Sequence, residues 1–258
     1  MMKERLRVHL VQLAYGDEES VDDRRQRAAQ LVRAQAGADL VVLPELWPQG
    51  GFAYDRWEQL AEPFDGPSLQ VMSAAARDVG ATVHMGSFVE RDDTGRLFNT
   101  SVLLDAEGEV LTSYRKIHLF GFGEGEPKLM SAGSEVVVHD VLGLATCYDL
   151  RFPELFRALL DKGATVLVMT SAWPAKRIGH WRLLAQARAV ENQMFVVACN
   201  TAGTHAGVPM GGHSIVVDPW GVVLAEAGDG EQVIPADLDL ASVESTRASF
   251  PVLPDRRL

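Results

Sequence analysis

Residues 142–154 read Leu-Gly-Leu-Ala-Thr-Cys-Tyr-Asp-Leu-Arg-Phe-Pro-Glu. An apolar run stops at a cysteine, a polar corner follows, and a proline opens the next apolar-periodic stretch. The pattern predicts a strand, a turn and then a helix over 153–162, with Pro153 near its start and Gly163 just past its end. Such a corner presents Cys147 at the end of a sheet. It can aim free backbone N–H groups at a developing oxyanion, and a nearby helix N-terminus lowers a thiol pKa. A lone cysteine is more often a buried packing residue. Cys199, inside the apolar run Phe195–Asn200, fits that description.

Outward from this corner, strand patterns alternate with helical ones. Toward the C-terminus come a strand over 164–170, a helix over 180–192, a strand over Phe195–Asn200 and a hairpin (213–217 and 222–225) around Asp218-Pro219-Trp220-Gly221. Toward the N-terminus, strands are expected at 7–14, 39–44, 82–90, 98–104, 110–114 and 136–138. A helix starts at Ser20, with Asp23 in a weak capping box and Gly37 placed to end it, and a second spans Pro67–Val79 before Gly80. The glycines and proline of 121–127 exclude a regular element there, and the polar tail after Asp239 is expected to lie over the surface or a partner. With no linker and no repeat, residues 1–258 read as one α/β domain. Hairpins mixed with βα units imply mixed sheets.

Composition narrows the function classes. The 258 residues carry a net charge of −11, which argues against nucleic-acid or anionic-membrane partners, since both need a basic face. Two cysteines make no disulfide scaffold. The N-terminus fits a first strand better than a signal peptide, and no run approaches the roughly 18 apolar residues of a membrane span. The expected compartment is the cytoplasm. The seven histidines stand in no paired ligand spacing, so no metal site is expected, and there is no G-x-S-x-G elbow. A Cys–His pair remains open, because its members need not be close in sequence. Gly121, Gly123 and Gly125 lack the Lys-Ser/Thr of a phosphate loop and read as a lid or site loop.

Two further residues have the chemistry that a thiol nucleophile needs. Glu45 ends the apolar run 39–44 beside Pro44 and Trp47, where burial would suit it to general-base work. A solvated strand cap is the equal alternative. Lys116 follows the strand ending at Tyr114 and could stabilise an oxyanion. A surface lysine is the commoner outcome for such a pattern.

Taken together, Leu43-Pro44-Glu45-Leu46, the run from Tyr114 to Phe120 and the run from Cys147 to Glu154 resemble the three motifs of the nitrilase superfamily of carbon–nitrogen hydrolases. The likeness extends from about Val8 to Asp239. It implies a four-layer α-β-β-α sandwich with two mixed sheets, in a homodimer or higher homo-oligomer. It also implies a catalytic set of Cys147 as nucleophile, Glu45 as base and Lys116 with the Tyr148 backbone N–H at the oxyanion. A second glutamate, Glu126 (or Glu124 in its place), joins them, and no cofactor is needed. Cys-Tyr-Asp-x-Arg-Phe-Pro-Glu is similar to the ω-amidase-like branch, which implies a small-molecule amide substrate such as a dicarboxylate monoamide. N-carbamoyl amidohydrolase, nitrilase and non-catalytic scaffold are the alternatives. Trp173 and Arg177, in a segment that differs from that branch, are candidate substrate contacts. Arg177 and Lys176 could meet a substrate carboxylate or be plain surface cations.

Overall fold

The computed structural model describes residues 4–257. Its first half runs β1 (Arg5–Gln12), α1 (Val21–Arg33), β2 (Leu40–Val42), α2 (Tyr54–Leu60), α3 (Pro67–Val79), β3 (Thr82–Arg91), β4 (Leu97–Leu104), β5 (Val110–Arg115) and the short turn α4 (Glu126–Leu129). The second runs β6 (Val138–His139), β7 (Leu142–Thr146), α5 (Pro153–Asp161), β8 (Val166–Ser171), α6 (Ile178–Asn192) and β9 (Phe195–Asn200). A small hairpin (β10, Thr204–His205; β11, Val208–Pro209), β12 (Ile215–Val217), β13 (Val223–Glu226), β14 (Gln232–Asp239) and α7 (Ala241–Ser249) complete it.

Two six-stranded sheets result, ordered β14-β1-β2-β3-β4-β5 and β13-β12-β9-β8-β7-β6. Each is parallel at its centre (β1-β2-β3 and β7-β8-β9) and antiparallel toward its edges. The central strands are apolar on both faces, and the period of two sorts their side chains into layers. Val8, Leu10, Leu40, Val42, Val166 and Val168 meet between the sheets. Val11, Val41 and Leu43 turn to α1 and α3, whereas Leu167, Met169 and Val196 turn to α5 and α6. The architecture is the expected α-β-β-α sandwich. Each buried Leu, Ile or Val contributes about 1.5–3 kcal/mol, so three stacked apolar layers hold the molecule without a crosslink.

Local details show where pattern reading stops. Ser20 caps α1, its hydroxyl accepting from the Asp23 N–H at 3.1 Å, but the helix ends at Ala34, and Gly37 takes its positive φ in the turn beyond. The segment 121–127, expected to be irregular, overlaps the start of α4, with Pro127 in its first turn. The tail forms α7, which buries Val243 and Thr246. Neither α2 nor β14 was expected. β14 carries Pro235 opposite His9 in an antiparallel pair with β1, and it is an edge strand, where proline is tolerated.

Candidate active site

The strand ends of both sheets converge on Cys147. β7 delivers the cysteine into a tight turn (Cys147–Arg151) with φ of 46°, a left-handed conformation that costs a non-glycine residue about 1–3 kcal/mol. The α-helix proper begins only at Pro153. The Tyr148 N–H lies in the first turn, where no carbonyl of the same helix can accept it. Asp149 fixes the corner: its carboxylate accepts from the Thr146 N–H (2.8 Å), the Tyr114 hydroxyl (2.7 Å) and the His118 N–H (3.0 Å). His118 Nδ1 also lies 2.7 Å from it. The cysteine corner is thereby tied to the segment that carries Lys116.

Glu45, Lys116 and Glu126 form one buried cluster. Lys116 Nζ donates to Glu45 Oε1 at 2.7 Å and to both oxygens of Glu126 at 3.0 and 2.8 Å. Asn99, in the middle of the site, donates at 2.8 Å to Glu45 and at 2.8 Å to Glu126. The other Glu45 oxygen accepts from the Ala172 N–H at 2.8 Å, which locks a carboxylate from the first sheet onto the end of β8 in the second. Phe120 N–H donates to Glu126 at 2.6 Å. Of the two loop glutamates read from the sequence, Glu126 is inside the cluster. Glu124 is exposed and pairs with Lys128 at 3.0 Å.

The electrostatics follow from this burial. Desolvation disfavours the Lys116 ammonium, but Glu126 and then Glu45 outweigh it and hold its pKa well above the usual lysine range. Burial pushes Glu126 up, against the pull of Lys116 and with the repulsion of Glu45. Burial and then the Glu45 charge push the Cys147 thiol up, against smaller opposing effects of Lys116 and Ser171. This corrects the expectation of a thiol acidified by a helix end: its surroundings favour the neutral thiol. The groups acting most strongly on it are Glu45, Lys116 and Ser171, with no histidine among them. Cys199 lies in the layer between the sheets, its thiol 3.4 Å from the Val11 carbonyl.

A narrow cavity opens onto Cys147 between Phe52, Phe120 and Trp173, with Arg151 and Arg177 among its lining. Arg151 stacks over the Trp173 ring at 4.7 Å, and Arg177 over Phe120 at 5.3 Å. Neither guanidinium pairs with a carboxylate among the described residues; Arg151 only approaches His180 Nδ1 at 3.4 Å. Trp173 and Arg177 both line this cavity. Lys176 is exposed and outside this lining. Sequence reasoning passed over Asn99 and Arg151. The signal for Asn99 was a polar run, Asn99-Thr100-Ser101, inside a strand buried along its whole length. Among the described residues, no group of three or more His, Cys, Asp or Glu side chains could hold a metal ion.

Comparison with known proteins extends these observations. The family model described as carbon-nitrogen hydrolase matches residues 7–248. A 2-oxoglutaramate amidase from Paenarthrobacter nicotinovorans is 44% identical over 263 residues, covering 98% of this chain and 90% of the relative. A second 2-oxoglutaramate amidase, from Bacillus subtilis, is 41% identical, covering 85% of each chain. Nit3 of Saccharomyces cerevisiae, a member of branch 10 of the nitrilase superfamily, superposes with a TM-score of 0.90 at 34% identity, covering 100% of this chain and 99% of its own.

Proposed function

The chain belongs to the carbon–nitrogen hydrolase family, within the nitrilase superfamily, and from that membership we propose that it is an amidase cleaving dicarboxylate monoamides of the 2-oxoglutaramate type. The observation that carries the reading is the buried Glu45–Lys116–Glu126 cluster facing a cysteine at the end of a cavity lined by two guanidiniums that have no carboxylate partner among the described residues. The amidase names of relatives at 41–44% identity support the same reaction.

In this reading Glu45 takes the Cys147 proton as the sulfur attacks the amide carbon. The developing oxyanion is met by Lys116 Nζ and the Tyr148 N–H. Protonated Glu45 then delivers its proton to the nitrogen, ammonia leaves, and a thioester remains. Glu45 deprotonates a water, which attacks the thioester and releases the acid and Cys147. The raised thiol pKa suits this order, because the proton moves only when substrate is present to receive the sulfur. Glu126 holds Lys116 and the substrate amide. Arg151 and Arg177 offer forked donors to the substrate's distal carboxylate.

A homodimer fits the surface. Leu183 and Val190 on α6, Trp220 and Val222 in the hairpin turn, and Phe250 after α7 are all exposed, and the rings of Trp220 and Phe250 stack at 6.2 Å. A reducing compartment such as the cytoplasm suits a free nucleophilic thiol, and the site's dependence on both sheets favours one domain. Ammonia release from a panel of amides, nitriles and N-carbamoyl compounds tests the proposal. Turnover of 2-oxoglutaramate, abolished in Cys147→Ala, is expected. Preferential release from nitriles or N-carbamoyl compounds overturns it.

A further inference from the structure

Tyr54 opens α2, and nothing in the reaction sequence above uses it. Its ring lies 5.9 Å from Phe52, a wall of the cavity, and edge-on to Trp57 at 4.8 Å. On the other side it packs against Gly125, the residue before Glu126. A Cβ at Gly125 would stand 3.2 Å from Tyr54 Cζ and 3.3 Å from its hydroxyl oxygen. Gly125 also has a positive φ of 61°, so both its backbone and its missing side chain leave the place that the phenol occupies. The hydroxyl makes no hydrogen bond among the described residues. The two site carboxylates are already engaged: Glu126 by Lys116, Asn99 and Phe120, and Glu45 by Lys116, Asn99 and Ala172.

We propose that the Tyr54 hydroxyl is a substrate contact that receives one N–H of the scissile carboxamide, on the Glu126 side of the site. A primary carboxamide offers two N–H donors, and the reading above gives one of them to Glu126. The free phenol oxygen beside Gly125 is a neutral acceptor for the second. Burial, then Glu126, push the phenol up to about 12, so it stays neutral and adds no third negative charge to a cluster that already holds two carboxylates. The contact distinguishes an amide from the matching ester, whose alkoxy oxygen has no hydrogen to give.

This inference rests on the proposed amidase reaction and is tested separately from it. Tyr54→Phe keeps the ring against Gly125, Phe52 and Trp57 and removes only the oxygen. For a primary amide, kcat/KM is expected to fall about tenfold, the scale of one lost hydrogen bond. For the matching methyl ester it is expected to change less than twofold. An unchanged amide rate overturns the proposal. So does an equal loss on amide and ester, which would make Tyr54 a packing residue. If Cys147→Ala remains active, it is the amidase reading itself that fails.

Discussion

At the scale of the residue, the two cysteines separate by surroundings. Cys147→Ala is expected to abolish ammonia release with little change in melting temperature, whereas Cys199→Ala keeps most activity and loses stability, because its thiol packs between the sheets. The backbone adds a second test. Cys147 sits at φ 46°, so Cys147→Gly should be more stable than Cys147→Ala by about 1 kcal/mol in chemical denaturation, despite glycine's entropic cost. Asn99 gives the third. It donates to both glutamates, and Asn99→Asp would set a third carboxylate against them where a donor stood. We expect kcat to fall a hundredfold or more, roughly 3 kcal/mol in the barrier, and Asn99→Ala to lose less. If Asn99→Asp kept near-normal turnover, the two bonds would be incidental.

Elements explain what could be read in advance. Glu45, Lys116 and Cys147 were legible because each closes or follows an apolar run, and the order of the three runs is distinctive. Asn99 was not, because its importance comes from lying between Glu45 and Glu126, partners 54 and 27 residues away in the chain. Arg151 belongs to the cysteine motif itself, but only the turn Cys147–Arg151 swings it over Trp173. β14 escaped notice because its pattern is broken by Pro235, and its place is set by β1. The tie at Asp149 belongs to this scale as well. Asp149→Ala would leave the buried Tyr114 hydroxyl and the Thr146 N–H without their acceptor. A loss of about 3 kcal/mol in folding stability is expected, with impaired turnover, since the Lys116 and Cys147 segments would no longer be joined. Unchanged turnover in the folded variant would show that the tie is only structural.

Over the whole molecule, buried histidines set the acid limit. Burial lowers His84 to about 4 and His205 to about 4, and neither ring nitrogen of either residue has a hydrogen-bond partner among the described residues. The folded pKa values lie below the unfolded value near 6.5, so between about 6.5 and 4 the unfolded chain binds protons that the folded chain refuses. Stability is therefore present above that window and lost as pH falls through it, by roughly 3 kcal/mol for the fully buried His84 at the low end. Urea midpoints at pH 7.5 and 5 should differ in that direction, and His84→Phe should narrow the gap. The pairing of β1 with β14 bears on synthesis. Arg5 and Asp239 are partners, so β1 leaves the ribosome well before the strand that completes its edge of the sheet. Glu45, from that sheet, is held by the Ala172 N–H of the other. On the proposed mechanism a nascent chain thus carries its cysteine before Glu45 is held in place as its base, and a product truncated before Ala172 would be inert toward amides rather than indiscriminately reactive.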